Sequence, residues 1–153
     1  PPHQVRHTVP GVAYGFSERR KKLKAEYAHL SGPEIAELRL SGTVVQDDVD
    51  IPLFLYTGDS SIEILTADEE QQQRILSYPV VITECTFLED ELLDWAQDAG
   101  HICWCELAPF VKQNPHTVFV LVHFSLRYTR SQIREFFDNL PGGLPHNVVL
   151  WAD

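Results

Sequence analysis

The stretch TVFVLVHFSLRY, residues 117–128, changes character halfway along. Residues 117–122 form a near-continuous apolar run, the pattern of a strand buried on both faces. Polar and ionisable groups then arrive together as His123, Ser125, Arg127 and Tyr128. The same design occurs twice upstream: residues 51–56 are apolar and stop at Thr57-Gly58-Asp59-Ser60, and residues 79–82 stop at Thr83-Glu84-Cys85-Thr86. Asp59, Glu84 and His123 each fall just past a strand end, where open α/β sheets gather ligand and catalytic groups.

Amphipathic helical patterns lie between or after these strands. Residues 89–99 place Leu92, Leu93, Ala96 and Ala99 on one stripe, with three acids in the first turn where the helix dipole favours them. Leu107, Phe110 and Val111 make a second stripe that closes at Pro115. Thr129-Arg-Ser-Gln132 reads as a capping box ahead of Ile133, Phe136, Phe137 and Leu140. Upstream, Ser31 caps a helix that ends at Gly42, residues 43–45 read as strand, and QDDVD (46–50) reads as an acidic turn. A final strand covers residues 147–151, and the first thirty residues hold a strand or two followed by a charged excursion. The alternation predicts an α/β fold with helices layered on a sheet.

With 153 residues the chain is the size of one domain. A net charge of -10 argues against wrapping nucleic acid over the whole surface, because phosphate binding needs clustered Lys and Arg. Five of the twelve basic residues do cluster in SERRKKLKAEY, which on charge alone reads as a solvated loop or helix face. Three cysteines are too few for a secreted disulfide framework and point to an intracellular, reducing compartment, with Cys103-Trp-Cys105 read as packed thiols. No apolar run reaches membrane-spanning length, so no membrane partner is expected. The lack of any Met suggests a processed product or a fragment.

Adding His7 and His101 to the three strand ends gives three histidines and two carboxylates, an inventory that suits a hydrolytic metal site. Each has a simpler explanation on its own: Gly-Asp is a common turn, Glu84 can cap a segment, and a lone His after a strand is commonly a hydrogen-bonded core or loop residue.

The ordered set HTVPGVAYGF, KKLKAEYAHLSGPEI, YTGDS, TECTF, AGHICWCE and HFSLRY resembles the C-terminal half of ribonuclease Z, the tRNA 3′-processing endonuclease of the metallo-β-lactamase superfamily, and the short plant form in particular. The resemblance covers nearly the whole chain. It implies that residues 1–153 form the C-terminal half of an αββα sandwich, part of a zinc-dependent endoribonuclease that removes 3′ trailers from tRNA precursors. It implies two divalent metals, zinc first, with manganese or magnesium as substitutes. His7 would bind one metal, Asp59 would bridge both, and His123 would bind the second. Glu84 matches the Glu of a His-Glu-Ala-Thr motif whose flanking residues are replaced by Thr83 and Cys85, and His101 matches the first residue of His-Ser-Thr, here His-Ile-Cys. A carboxylate that orients an imidazole can supply the proton a departing 3′-oxygen needs, so Glu84 and His101 are the implied catalytic pair. Arg127 would meet phosphate or support the site, with Ser125 and Tyr128 ordering the strand end. The basic run occupies the interval of the family's tRNA-gripping arm, which makes Arg19, Lys21 and Lys22 candidate substrate contacts.

The family's leading His-x-His-x-Asp-His signature does not occur in the sequence. The chain alone is therefore expected to be inactive and to need an N-terminal half, in cis or in trans, alongside precursor tRNA; the family commonly forms homodimers. Two other classes stay open: a non-catalytic binding or scaffold half-domain, and a superfamily relative acting on another phosphodiester or ester.

Overall fold

A computed structural model describes residues 3–5 and 11–152, so His7 lies outside the described residues. Six strands occur in the spatial order β1 (His3–Val5), β2 (Gly11–Leu23), β3 (Gln46–Tyr56), β4 (Val80–Glu84), β5 (Val118–Val122) and β6 (Val148–Leu150). β1 runs antiparallel to β2, whereas β3 through β6 are parallel to one another. Parallel pairing demands crossovers, and the helices supply them: α2 (Glu63–Thr66) and α3 (Glu69–Leu76) before β4, α4 (Leu93–Ala99) and α5 (Trp104–Gln113) before β5, and α6 (Arg130–Asp138) before β6.

Two compact units divide the chain, residues 17–52 and the remainder. The first holds α1 (Gly32–Leu40), the later part of β2 and the earlier part of β3. Ser31 and Glu34 form the expected capping box, yet no residue of α1 is buried. Two expectations are corrected here. The basic run is strand through Leu23 rather than loop or helix, and QDDVD opens β3 rather than turning. The two segments match in charge: Arg19 grips Asp50 through two hydrogen bonds of 2.9 and 3.2 Å, and Lys24 approaches Asp47 at 3.9 Å. Opposite charges on paired strands favour extension where charge alone suggests a loop. Residues 43–45, expected as strand, precede it instead; the Val45 carbonyl accepts from the Lys24 N–H at 3.0 Å.

In the larger unit the helices bury their apolar stripes against one face of the sheet. Leu55, Val81, Phe119, Leu121 and Val148 from β3 to β6 join Leu107, Phe110, Ile133 and Phe137 from the helices in one core. Burying a side chain of this size contributes about 1.5–3 kcal/mol. The opposite face is also apolar but only partly covered. Val80, Ile82, Val118, Val120 and Val122 are intermediate in exposure, while Val12, Tyr14, Phe16, Tyr56 and Val149 are exposed. The expected helix at 89–99 begins as a tight 3-10 turn (Asp90–Leu92), and the last strand is shorter than expected.

Candidate active site at the carboxyl edge of the parallel strands

Because β3, β4 and β5 run the same way, the residues after them emerge on one edge. Register pairs Tyr56 with Ile82 and Glu84 with Val122, which brings Asp59, Glu84 and His123 together. Glu84 ends β4 with no exposure at all. A buried carboxylate needs donors, and this one has four. Oε1 accepts from the Ser60 N–H, Oε2 accepts from the Ile102 N–H at 3.1 Å and from the Thr86 hydroxyl, and His101 Nδ1 lies 3.1 and 3.0 Å from the two oxygens. One side chain thereby fixes the loop carrying Asp59, the start of the segment after β4, and the loop carrying His101.

The Asp59 loop has further supports. Thr57 donates its N–H to the Ile82 carbonyl at 3.0 Å and its hydroxyl to Thr83 Oγ1 at 3.2 Å. Gly58 then turns with φ of 66°, a left-handed conformation that glycine accepts readily. His101 follows a second such turn at Gly100, φ 74°, where α4 ends.

His123 is the one non-glycine residue of positive φ, 58°, among the described residues. For a non-glycine residue this conformation is costly, and such strain gathers at functional sites. Thr86 reaches it from the segment just after β4: Oγ1 is 3.0 Å from His123 Nδ1 and 3.0 Å from the His123 carbonyl oxygen. A hydroxyl has one proton. Given to the Glu84 carboxylate, the strongest acceptor in reach, that proton leaves Oγ1 to accept from Nδ1–H and puts the His123 lone pair on Nε2. Nε2 lies 3.5 Å from Asp59 Oδ2, and the two side chains are 46% and 47% exposed.

Glu84, His101 and His123 also bring ligand-type atoms within 4.8 Å of one another. Glu84 is less suited to a metal than that closeness implies, since both of its oxygens already accept hydrogen bonds. Asp59 and His123 are the better donor pair. The rings of Trp95, Phe87, His101 and His123 form a row with centroid spacings of 5.4, 6.4 and 5.4 Å, which packs both imidazoles at the mouth of the site.

The other expected residues divide. Ser125 donates its N–H to the Thr86 carbonyl at 3.0 Å, and the Tyr128 hydroxyl donates to Glu89 while accepting from the Leu88 N–H at 3.3 Å. Both order the segment after β5. Arg127 lays its guanidinium over Trp95, 4.5 Å from the ring centroid, and near Phe87 at 5.4 Å. Arg19, Lys21 and Lys22 are exposed and belong to the unit of residues 17–52. Cys85, Cys103 and Cys105 are free thiols. Burial pushes the Cys85 thiol well up and, with Cys103 beside it, raises Cys105 to about 12, so Cys85 and Cys105 stay protonated near neutrality. Sequence reading missed Ser60 as a Glu84 donor and Thr86 as the link between Glu84 and His123. A backbone N–H carries no signal in sequence, and Thr86 is visible only as part of a motif.

Over 99% of its length the chain superposes on 39% of the crystal structure of human tRNase Z, short form, with a TM-score of 0.52 and 17% identity. Parallel strand ends that gather two carboxylates and two imidazoles thus sit on an α/β fold of the metallo-β-lactamase type. The chain is 32% identical over 143 residues to tRNase Z TRZ1 of Arabidopsis thaliana, covering 93% of this chain and 50% of that protein. With the chloroplastic tRNase Z TRZ2 of the same plant it shares 33% over 149 residues, covering 97% and 42%. The chain is thus similar to these ribonuclease Z proteins over nearly all of its own length, and it spans about half the length of the curated relatives it matches. No protein-family profile matches the chain. No described helix is long and apolar enough to cross a membrane.

Proposed function

We propose that the chain is the C-terminal half of a metal-dependent endoribonuclease that removes 3′ trailers from tRNA precursors, completed by an N-terminal half in cis or in trans. The observation that carries this reading is the juxtaposition of two units, the Asp59–His123 donor pair and the Glu84–His101 pair, on one sheet edge. The relatives named above support the choice of substrate.

The donor pair fits a metal. Two ligand atoms about 2.1 Å from a tetrahedral ion lie about 3.4 Å apart, and Asp59 Oδ2 and His123 Nε2 are 3.5 Å apart. Asp59 would bridge two ions and His123 would hold one of them, with His7 and the N-terminal half supplying the remaining donors. Zinc suits this nitrogen and oxygen set, with manganese or magnesium as substitutes. Bound ions of this kind activate water and neutralise charge growing on a phosphodiester.

The chain's own residues do the rest. Thr86 holds the His123 tautomer, as the outer partners of metal-bound histidines do. Glu84 orients His101 through Nδ1, so that Nε2 can pass a proton to the leaving 3′-oxygen of the ribose. Ser125 and Tyr128 keep the backbone beyond His123 in place, and Arg127, Arg19, Lys21 and Lys22 contribute local positive charge on an acidic chain, where RNA contact must be local.

The half-covered sheet supports the domain reading. Contiguous exposed apolar surface marks an interaction site, and a second sheet laid on Val120, Ile82, Tyr14 and Phe16 would bury it. The working unit is read as a homodimer of completed domains in a reducing compartment, consistent with three free thiols. To test the activity, the complete protein is incubated with precursor tRNA, then with chelator, then with zinc or manganese. Cleavage that disappears and returns is expected, with His101→Ala slowing it at least about a hundredfold. A complete protein that leaves precursor tRNA intact in every metal points instead to a scaffold.

A further inference from the structure

Away from the edge that carries Asp59 and His123, a cavity of about 380 Å³ lies between α5 and the segment that joins α6 to β6, near where β5 and β6 begin. We propose that it is a binding site for a small aromatic carboxylic acid whose ring carries an N–H donor. Neither the metal site nor the ribonuclease reading enters the argument.

Most of the wall is apolar and flat. Trp104, Ala108 and Val111, four and three residues apart, share one face of α5, and Pro141 and Pro145 stand across from them in the joining segment. Indole and pyrrolidine rings favour a planar guest. The volume lies within the range of roughly 300–1,000 Å³ that small-ligand pockets occupy, at the end that suits one fused ring system.

One buried polar group interrupts this lining. Asn147 is only 5% exposed, and its Nδ2 donates toward the carbonyls of Val111, Asn114 and Thr117 at 3.2, 3.1 and 3.1 Å. Three acceptors identify that end of the amide as the nitrogen and lock the side chain. Its Oδ1 makes no hydrogen bond among the described residues, yet it is not sealed from solvent. Asn147 lines the cavity, so the bare acceptor is offered there and calls for an N–H. The wall is also held in place without a ligand: the Phe119 N–H donates to the Asn147 carbonyl at 2.8 Å, and the Val148 N–H to the Pro145 carbonyl at 2.9 Å.

Basic side chains stand at the rim. Lys112 and His146 are exposed, line the same cavity and make no ion pair among the described residues. In a chain of net charge -10, two unpaired basic groups beside one apolar cavity favour an anion. The Asn147 oxygen repels a carboxylate, so the ring enters first and the carboxylate stays with Lys112 and His146. Planar body, ring N–H and peripheral anion together define the ligand class.

The test titrates indole-3-propionate into the complete protein by calorimetry. The wild type should bind one equivalent saturably. Lys112→Gln should weaken binding about tenfold, and 1-methylindole-3-propionate, which lacks the donor, should bind the wild type about tenfold less tightly. Ala108→Leu extends a side chain from α5 into the cavity and should abolish binding, with a melting curve showing that the variant folds. A wild type that takes up no indole-3-propionate overturns the site, as does binding that Ala108→Leu leaves intact. Equal affinity in Lys112→Gln or for the methylated acid also overturns it, and neither of these comparisons alters a buried residue.

Discussion

Glu84 and His123 stand at opposite ends of one hydrogen-bonded chain, and they make opposite demands on the fold. Glu84 is wholly buried and satisfies donors from three loops. Glu84→Ala leaves those donors without an acceptor and should cost about 3–5 kcal/mol, read as a lowered denaturation midpoint. His123 is different. Its left-handed backbone costs roughly 1–2 kcal/mol in a residue with a side chain, which offsets the roughly 1 kcal/mol from its bond to Thr86. His123→Gly should therefore match the wild type within about 1 kcal/mol while losing metal affinity. A large loss of stability would mean that His123 is structural. The strand ends that carry these residues were legible in sequence because each apolar run stops abruptly. The four donors around Glu84 were not, since two of them are backbone N–H groups that exist only once the loops are placed.

The turn after β5 shows how an element adds to the site. Ser125, Tyr128 and the cap of α6 each tie it down, and the Thr129–Gln132 capping box was readable from spacing alone. Burial, then the hydrogen bond to Glu89, push the Tyr128 hydroxyl from 10 up to about 12. The folded state thus keeps a proton that the unfolded chain releases near pH 10. The stability this lends is fully present below pH 10 and is lost as pH rises through 12. Denaturant melts of the wild type and Tyr128→Phe should differ at neutral pH and converge across that window; a constant difference would show that the hydroxyl's bonds do not depend on its proton. Elements elsewhere were harder to read. α3 went unpredicted because EEQQQR offers few apolar positions to set a period, α2 is only four residues long, and the charged halves of β2 and β3 look like loops until Arg19 finds Asp50.

On the scale of the molecule, the helices cover one face of the parallel strands and leave the other apolar and partly exposed. The periodicity of β5, alternately intermediate and buried, makes the contrast measurable within one strand. Phe119→Ala opens a cavity in the core and should cost about 3–5 kcal/mol. Val120→Lys points to the other face. A solvent-exposed position would tolerate it within about 0.5 kcal/mol, but a face covered by a second sheet in the complete protein would not, and a loss of about 2 kcal/mol or more is expected. The layered α/β order was legible in the sequence, and the missing His/Asp signature is what leads to the expectation of another half. It could not find the uncovered face, because a strand covered on both sides and one awaiting its cover have the same apolar run.

The most direct measurement is precursor tRNA cleavage by the complete protein, with metal content determined in parallel, for wild type, Asp59→Ala and His123→Ala. The account predicts that the wild type cleaves and that each variant retains its fold, binds less metal and loses cleavage. Cleavage that survives both substitutions would contradict it.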